Sequence, residues 1–491
     1  MRRRTALGAA ALGAAASVCA ALVLASGTAS GSTAATPPPS PSGTSASGSA
    51  TSASPSSTPV PAPPPAPDVV LPRVPLEAGS VPGSSAQLVA AVRAALRDKA
   101  LGRDVAAMVV DVGSGDVLLD DRSSVAQVPA STLKTLTAVT ALSALGGSTR
   151  ITTSVVEGAA PGEVVLVGAG DATLTRYPTP ASDLPEGQSA RPASLADLAN
   201  RTVKALRAKG VSTVSVQVDD SLFTGPRTAP GWPSTYVSTG VVSPVSALSA
   251  DSGKVSADSR VRSADPAIAA GRFFAKRLEA AGLTVTGEVG RTDVGSAADP
   301  IASVQSPTMA DLVERMLTAS DNDLAEALAH LSGLVVAQDA SFAGGAKAVE
   351  ETLQELGITV SGLELVDGSG LSRENRVAAA TLAGTLSAAV RDAPPTGATA
   401  GVLWPTTSGL PIAGATGTLA ERFDTTGTDA GRGVVRGKTG TLSGVVTLAG
   451  CVVDAEGRMR VFVFLADASP GPLLDAQAAL DRAATAVVTS P

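Results

Sequence analysis

Apolar residues recur at helical spacing at Leu88, Val92 and Leu96, with Ser84 and Ser85 ahead of them as caps, and predict a helix over 87–96. Residues 105–112 read as a strand that turns through Gly113-Ser114-Gly115 into Val117–Leu119, a hairpin. Leu133, Leu136, Val139, Leu142 and Leu145 share one face of a helix over 129–145. The pattern then changes to short strands, at 164–167 and 214–218, with a helix over 195–208 between them. Helical spacing returns over 268–281, with Phe273, Phe274 and Leu278 facing inward, and over 309–317 and 324–334. Three strands follow, 434–439, 445–453 and 459–465, and a helix over 473–487 closes the chain. Terminal helices packed on an antiparallel sheet, with a helical cluster between, make an α+β architecture. The segment 151–262 interrupts it as an inserted smaller α/β domain, leaving 81–150 and 263–491 as the main body.

The N-terminal 80 residues have a different pattern. Arg2, Arg3 and Arg4 precede an uncharged stretch from Thr5 to Pro67, whose first part, Thr5–Ala25, is apolar and rich in Ala. Small residues around Ala25 and Ala29 complete an export signal over 1–29. An uncleaved membrane anchor is the rival reading, since 21 residues span a bilayer of ~30 Å, but Ala and Gly are weakly hydrophobic for permanent residence. Both readings put the rest of the chain outside the cytoplasm, secreted or tethered on the cell-wall side. No lipobox precedes Cys19, which argues against a lipoprotein. Residues 30–80, built largely of Pro, Ser, Thr and Ala, cannot bury a core and are expected as a disordered linker that provides reach.

Composition narrows the chemistry. The 491 residues carry 37 Lys+Arg against 44 Asp+Glu, a formal charge of −7, with 2% aromatics, so the basic stripe and stacking rings of a nucleic-acid binder are missing. His330 and Cys451 are alone of their kinds past the leader, which excludes a Cys/His zinc site and leaves a Ser-His-Asp triad a single candidate base. No Asp/Glu cluster has calcium-loop spacing, and no metal or organic cofactor is expected. Cys451, without an intrachain partner once the leader is gone, lies in an apolar run and reads as a buried thiol. His330 is expected at a helix surface or boundary, Trp232 and Trp404 as packing anchors, and Arg373 as structural.

Three short constellations carry chemistry that works without His. Ser131-Thr132-Leu133-Lys134 opens a helix; positions three apart share a helical face, so hydroxyl and amine come within hydrogen-bond reach. A Ser there has backbone N–H groups near it to hold an oxyanion, and a buried Lys has the lowered pKa that a base requires. Of eight Lys, only Lys134 has Ser three residues before it. Ser320-Asp321-Asn322 lies in a break between two helices, where a hydroxyl for proton relay and an amide for a peptide group point into one cleft. Lys438-Thr439-Gly440-Thr441 sets a cation and two hydroxyls along a strand, with Gly allowing close approach, and suits an extended ligand that ends in a carboxylate. Each has a plain structural alternative, a cap or an exposed strand residue. Their order is that of the penicillin-binding proteins and serine β-lactamases.

From about Val81 onward the chain resembles the D-alanyl-D-alanine carboxypeptidase/endopeptidase family of low-molecular-mass penicillin-binding proteins, peptidase S13. Besides the three motifs, the resemblance rests on 166–171 (Leu-Val-Gly-Ala-Gly-Asp), 244–248 (Pro-Val-Ser-Ala-Leu), 367–373 (Asp-Gly-Ser-Gly-Leu-Ser-Arg) and 437–444. It implies Ser131 as the acylated nucleophile, Lys134 as its base, Ser320 as proton shuttle and Asn322 on the substrate's peptide group. It implies Lys438 as the group that lowers the pKa of Lys134, and Thr439, Gly440 and Thr441 as the substrate-binding strand, with Thr439 and Thr441 receiving the terminal carboxylate. The N–H groups of Ser131 and Thr441 would form the oxyanion hole. The implied substrates are peptidoglycan stem peptides and the implied inhibitors β-lactams, with no nucleic-acid partner and membrane contact only through the N-terminal segment. A serine β-lactamase is the nearest rival, but no Leu-Asn pair exists here, and neither Tyr177 nor Tyr236 has Asn two residues on. A non-catalytic peptidoglycan-binding protein of the same fold is the rival of another class.

Overall fold

The computed structural model describes residues 84–184, 190–295, 299–392 and 401–490; the expected leader and linker lie outside them. Along the chain, α1 (Ser84–Leu96), the hairpin β1 (Val105–Asp111) and β2 (Val117–Asp121), and the short β3 (Ala126–Gln127) lead into a 3-10 turn, Ala130–Leu133, and α2 (Lys134–Leu145). A second group follows: β4 (Arg150–Glu157), β5 (Glu163–Val167), α3 (Leu195–Ala208), β6 (Thr213–Asp219), α4 (Thr235–Thr239), α5 (Pro266–Ala280), β7 (Thr284–Arg291) and β8 (Pro300–Thr308). Then come α6 (Met309–Thr318), α7 (Asn322–Ala337), α8 (Phe342–Glu355), β9 (Val377–Ala378), α9 (Ala379–Arg391) and α10 (Trp404–Ser408). The strands β10 (Arg436–Leu442), β11 (Val445–Val453) and β12 (Met459–Ala466) and the helix α11 (Leu473–Thr489) complete it.

The first sheet is antiparallel, in the order β10-β11-β12-β1-β2, and brings the chain's last strands beside its first. Alternation along β12 shows why it is covered on both sides. Phe462, Phe464 and Ala466 join the core under α1 and α11, while Val461, Val463 and Leu465 join the core under α8 and α9. A third core holds the helical cluster, with Val139 and Leu142 of α2 against Leu312 and Met316 of α6 and Leu324 and Leu328 of α7. This is the expected α+β body, and Cys451 is a buried free thiol in it.

The second sheet has the order β7-β6-β5-β4-β8, with β5, β6 and β7 parallel and α3 and α5 as their crossovers. The expected end of the insert at residue 262 is therefore corrected. Phe274 and Leu278 of α5 pack with Val214, Val216 and Val218 of β6, and both β7 and β8 belong to this sheet, which extends from Arg150 to Thr308. β7 and β8 are the edges of this sheet: β7 is largely exposed and holds Gly287 and Gly290, and β8 starts at a Pro, so neither has a clear apolar alternation. Among the described residues no helix is long and apolar enough to cross a membrane.

Candidate active site

Ser131 sits in the 3-10 turn rather than in the first turn of α2, and the turn is entered through Ala130 at φ 47°, a left-handed conformation. Two glycines make room for that bend. A Cβ on Gly370, at φ 81°, would lie 1.9 Å from the Ala130 carbonyl oxygen, and one on Gly440 would lie 2.9 Å from Pro129 O. The Gly of the strand motif thus lets β10 press against the turn that carries Ser131.

Lys134 is fully buried, and its Nζ contacts three oxygens: Ser131 Oγ at 3.1 Å, Asn322 Oδ1 at 2.7 Å and the Ser369 carbonyl at 2.7 Å. Asn322 Nδ2 donates to Val241 O at 2.9 Å, which turns its Oδ1 toward the lysine. Burial pulls the Lys134 pKa from 10.5 down to about 8, against the opposing charges of Glu326, Asp367, Asp321 and Asp323.

Ser320 bridges α6 and α7 at φ 54°, and Asp321 then caps α7 by accepting Leu324 N–H. Lys438, also fully buried, donates to Thr439 O at 2.8 Å; burial, and secondarily the Lys134 charge, push its pKa far below the usual ammonium value. Burial is the largest cause of the depression at both lysines, and repulsion between the two ammonium groups acts in the same direction. Thr439 Oγ1 lies 2.8 Å from Thr418 Oγ1, and Thr441 is exposed.

A cleft of about 570 Å³ opens over this cluster, with Ser131, Ser320, Asn322 and Thr441 in its wall beside Tyr236, Leu371 and Leu442. Both lysines lie beneath it, out of solvent. The groups on offer are hydroxyl, amide and amine; among the described residues no three His, Cys, Asp or Glu side chains gather to hold a metal ion. Such a set suits nucleophilic attack by Ser131 with an amine as proton acceptor.

Several contributors have no motif of their own. Glu326, buried on α7, accepts Gly368 N–H at 2.9 Å and Ser369 N–H at 2.8 Å. Asp367 accepts Gly370 N–H at 2.8 Å, Ser372 N–H at 2.6 Å and the Trp232 indole N–H at 2.8 Å. The stretch 367–373 is therefore a turn tied down by two carboxylates that delivers the Ser369 carbonyl to Lys134. The family resemblance marks this stretch in the sequence, but no residue type in it announces the role of the Ser369 carbonyl. Trp232 is a hydrogen-bond donor as well as an edge-on neighbour of Phe342, and Arg373 donates to Ser443 O at 2.6 Å. His330, expected near the surface, is buried between Phe223 and Phe342 with Nδ1 2.8 Å from Glu326 O, and burial holds its pKa down to about 4.

The profile of the D-Ala-D-Ala carboxypeptidase 3 (S13) family matches residues 88–260 and 257–487. The chain belongs to this family. It is accordingly a D-Ala-D-Ala carboxypeptidase, a hydrolase whose reaction on the cell wall lies outside the cytoplasm. It is 37% identical over 430 residues to a carboxypeptidase of Mycobacterium tuberculosis, covering 84% of this chain and 88% of that one. The D-alanyl-D-alanine carboxypeptidase of Actinomadura sp. strain R39 is 31% identical over 464 residues, with coverage of 78% and 81%. Among solved structures, penicillin binding protein 4 (dacB) from Haemophilus influenzae shares the fold with a TM-score of 0.66 at 22% identity, covering 81% of this chain and 98% of that one. The same Haemophilus protein has been solved complexed with a β-lactam.

Proposed function

We propose that the protein removes terminal D-alanine from peptidoglycan stem peptides through an acyl-enzyme on Ser131, and that β-lactams trap the same serine. The observation that carries this is the coordination of Lys134 Nζ. Asn322 Oδ1 and the Ser369 carbonyl can only accept, so they take two N–H bonds, and the third direction, toward Ser131 Oγ, carries the lone pair once the amine is neutral. Ser131 Oγ attacks the D-Ala–D-Ala carbonyl and its proton passes to Lys134. The C–N bond then breaks as the proton moves through Ser320 to the leaving amine. Water hydrolyses the acyl ester, with the proton returned to Ser131.

Asn322 meets the substrate's peptide group at the cleft wall, while Lys438 supports the strand beneath. Thr439 and Thr441 receive the terminal carboxylate, Gly440 gives the strand its close approach, and the Ser131 and Thr441 N–H groups hold the oxyanion. Residues 1–29 export the chain or tether it on the cell-wall side of the membrane, and residues 30–80 supply reach.

Labelling of residues 68–491 with a fluorescent penicillin, beside Ser131→Ala, tests the assignment. A stable adduct by intact mass, absent from the variant, is expected. No adduct on a folded chain sinks the Ser131 mechanism, and rapid adduct loss with release of hydrolysed penicillin makes the protein a β-lactamase.

A further inference from the structure

We infer that Glu326 is a positioning residue for this reaction: its carboxylate aims the Ser369 carbonyl at Lys134 Nζ and helps balance the ammonium charge. The inference rests on the reading of Ser131 as nucleophile and Lys134 as base. Asn322 and Glu326 stand four residues apart, on one face of α7. Asn322 reaches Lys134 directly. Glu326 reaches it through one turn of backbone, by taking the N–H groups of Gly368 and Ser369 on separate oxygens. One helix therefore holds both fixed acceptors of the lysine amine. The turn rests directly on that helix, since a Cβ on Gly368 would lie 2.5 Å from Ala329 Cβ and 3.4 Å from Glu326 Oε2.

Charge supports the geometry. The charged groups around Lys134 are Asp321 at the cap of α7, Asp323 and Glu326 on α7, Asp367 in the turn and Lys438 on β10. Glu326 is the strongest of the carboxylates that resist the effect of burial on Lys134. Its own pKa is raised by burial and by Asp367, so lysine and carboxyl compete for a proton in one dry space. A residue that only held the turn would move the acylation rate but not the pH at which the base becomes active.

The test is the second-order rate constant for acylation by a fluorescent penicillin between pH 5.5 and 9.5, for wild type, Glu326→Gln and Glu326→Asp, with folding followed by near-ultraviolet circular dichroism. Glu326→Gln removes the charge and can accept only one of the two N–H groups. Its acidic limb is expected to move down by about one pH unit, with a plateau roughly tenfold lower. Glu326→Asp, with the carboxylate drawn back by one methylene, is expected to shift the limb the same way by less. If Gln fails to fold, the Asp shift decides. A limb unmoved in the folded variants, or collapse of both variants, overturns the inference and leaves Glu326 structural. Absence of a Ser131-dependent adduct on wild type is a different result, and it removes the underlying reading instead.

Discussion

Lys134 is an ammonium group that the fold keeps from water, and its chemistry follows from that. Burial disfavours the charged form, while Glu326, Asp367, Asp321 and Asp323 partly restore it, leaving a pKa of about 8. A base must be neutral to accept the Ser131 proton, so acylation by penicillin is expected to rise as pH increases through about 8 and then level off. Stopped-flow acylation between pH 6 and 10 checks this, and a flat profile would remove Lys134 as the base. The linkage has a definite sign. The folded-state pKa lies below 10.5, so the unfolded chain binds more protons between the two values, and this group's contribution to stability increases with pH from about 8 to 10.5. The hydroxyl–amine spacing behind all this is visible in the sequence; the third and second oxygens on Nζ are not, because one belongs to a residue 188 positions away and the other to a backbone carbonyl 235 positions away.

At the scale of elements, the 3-10 turn of Ser131, the turn 367–373 and β10 meet with almost no free space. Gly370 is the tightest point, at φ 81° with the Ala130 carbonyl oxygen where a Cβ would go. Gly370→Ala is expected to lose roughly 2 kcal/mol or more, from left-handed strain plus overpacking, and to slow acylation at least tenfold by displacing Ser131. Urea unfolding and penicillin labelling read the two effects, and a variant of wild-type stability would refute this account of the glycine. The periodic helices α2, α3, α6, α7 and α11 and the strands β11 and β12 were legible because each buries one face or both against a core. The edge strands β7, with its two glycines, and β8, with its prolines, were not, since each has only one paired neighbour and no clear apolar alternation.

At the scale of the molecule, the segment that carries the second sheet reaches the residues around Lys134. Val241 O receives the Asn322 amide, Ser243 N–H donates to Asp323 at 2.6 Å, and the Trp232 indole donates to Asp367. Trp232→Phe keeps a ring beside Phe342 but removes that donor. It is expected to cost about 1–2 kcal/mol and to slow acylation several-fold without moving its pH limb. Chemical denaturation together with the pH profile tests this, and wild-type values for both would mean that the indole bond is dispensable.

By itself, the sequence determined the local facts: where apolar faces form helices and strands, which Ser has an amine one turn away, and which strand carries Lys, Thr and Gly together. These follow from spacings of two to four residues, which the backbone geometry of a helix or a strand converts directly into a shared face. Only the tertiary structure decided what surrounds Lys134. Burial, the Glu326 carboxylate, the Ser369 and Val241 carbonyls and the reach of the second sheet to Thr308 arise from packing between segments far apart in the chain. A backbone carbonyl has the same chemistry in every residue, so no residue type announces which one a fold will aim at a buried amine.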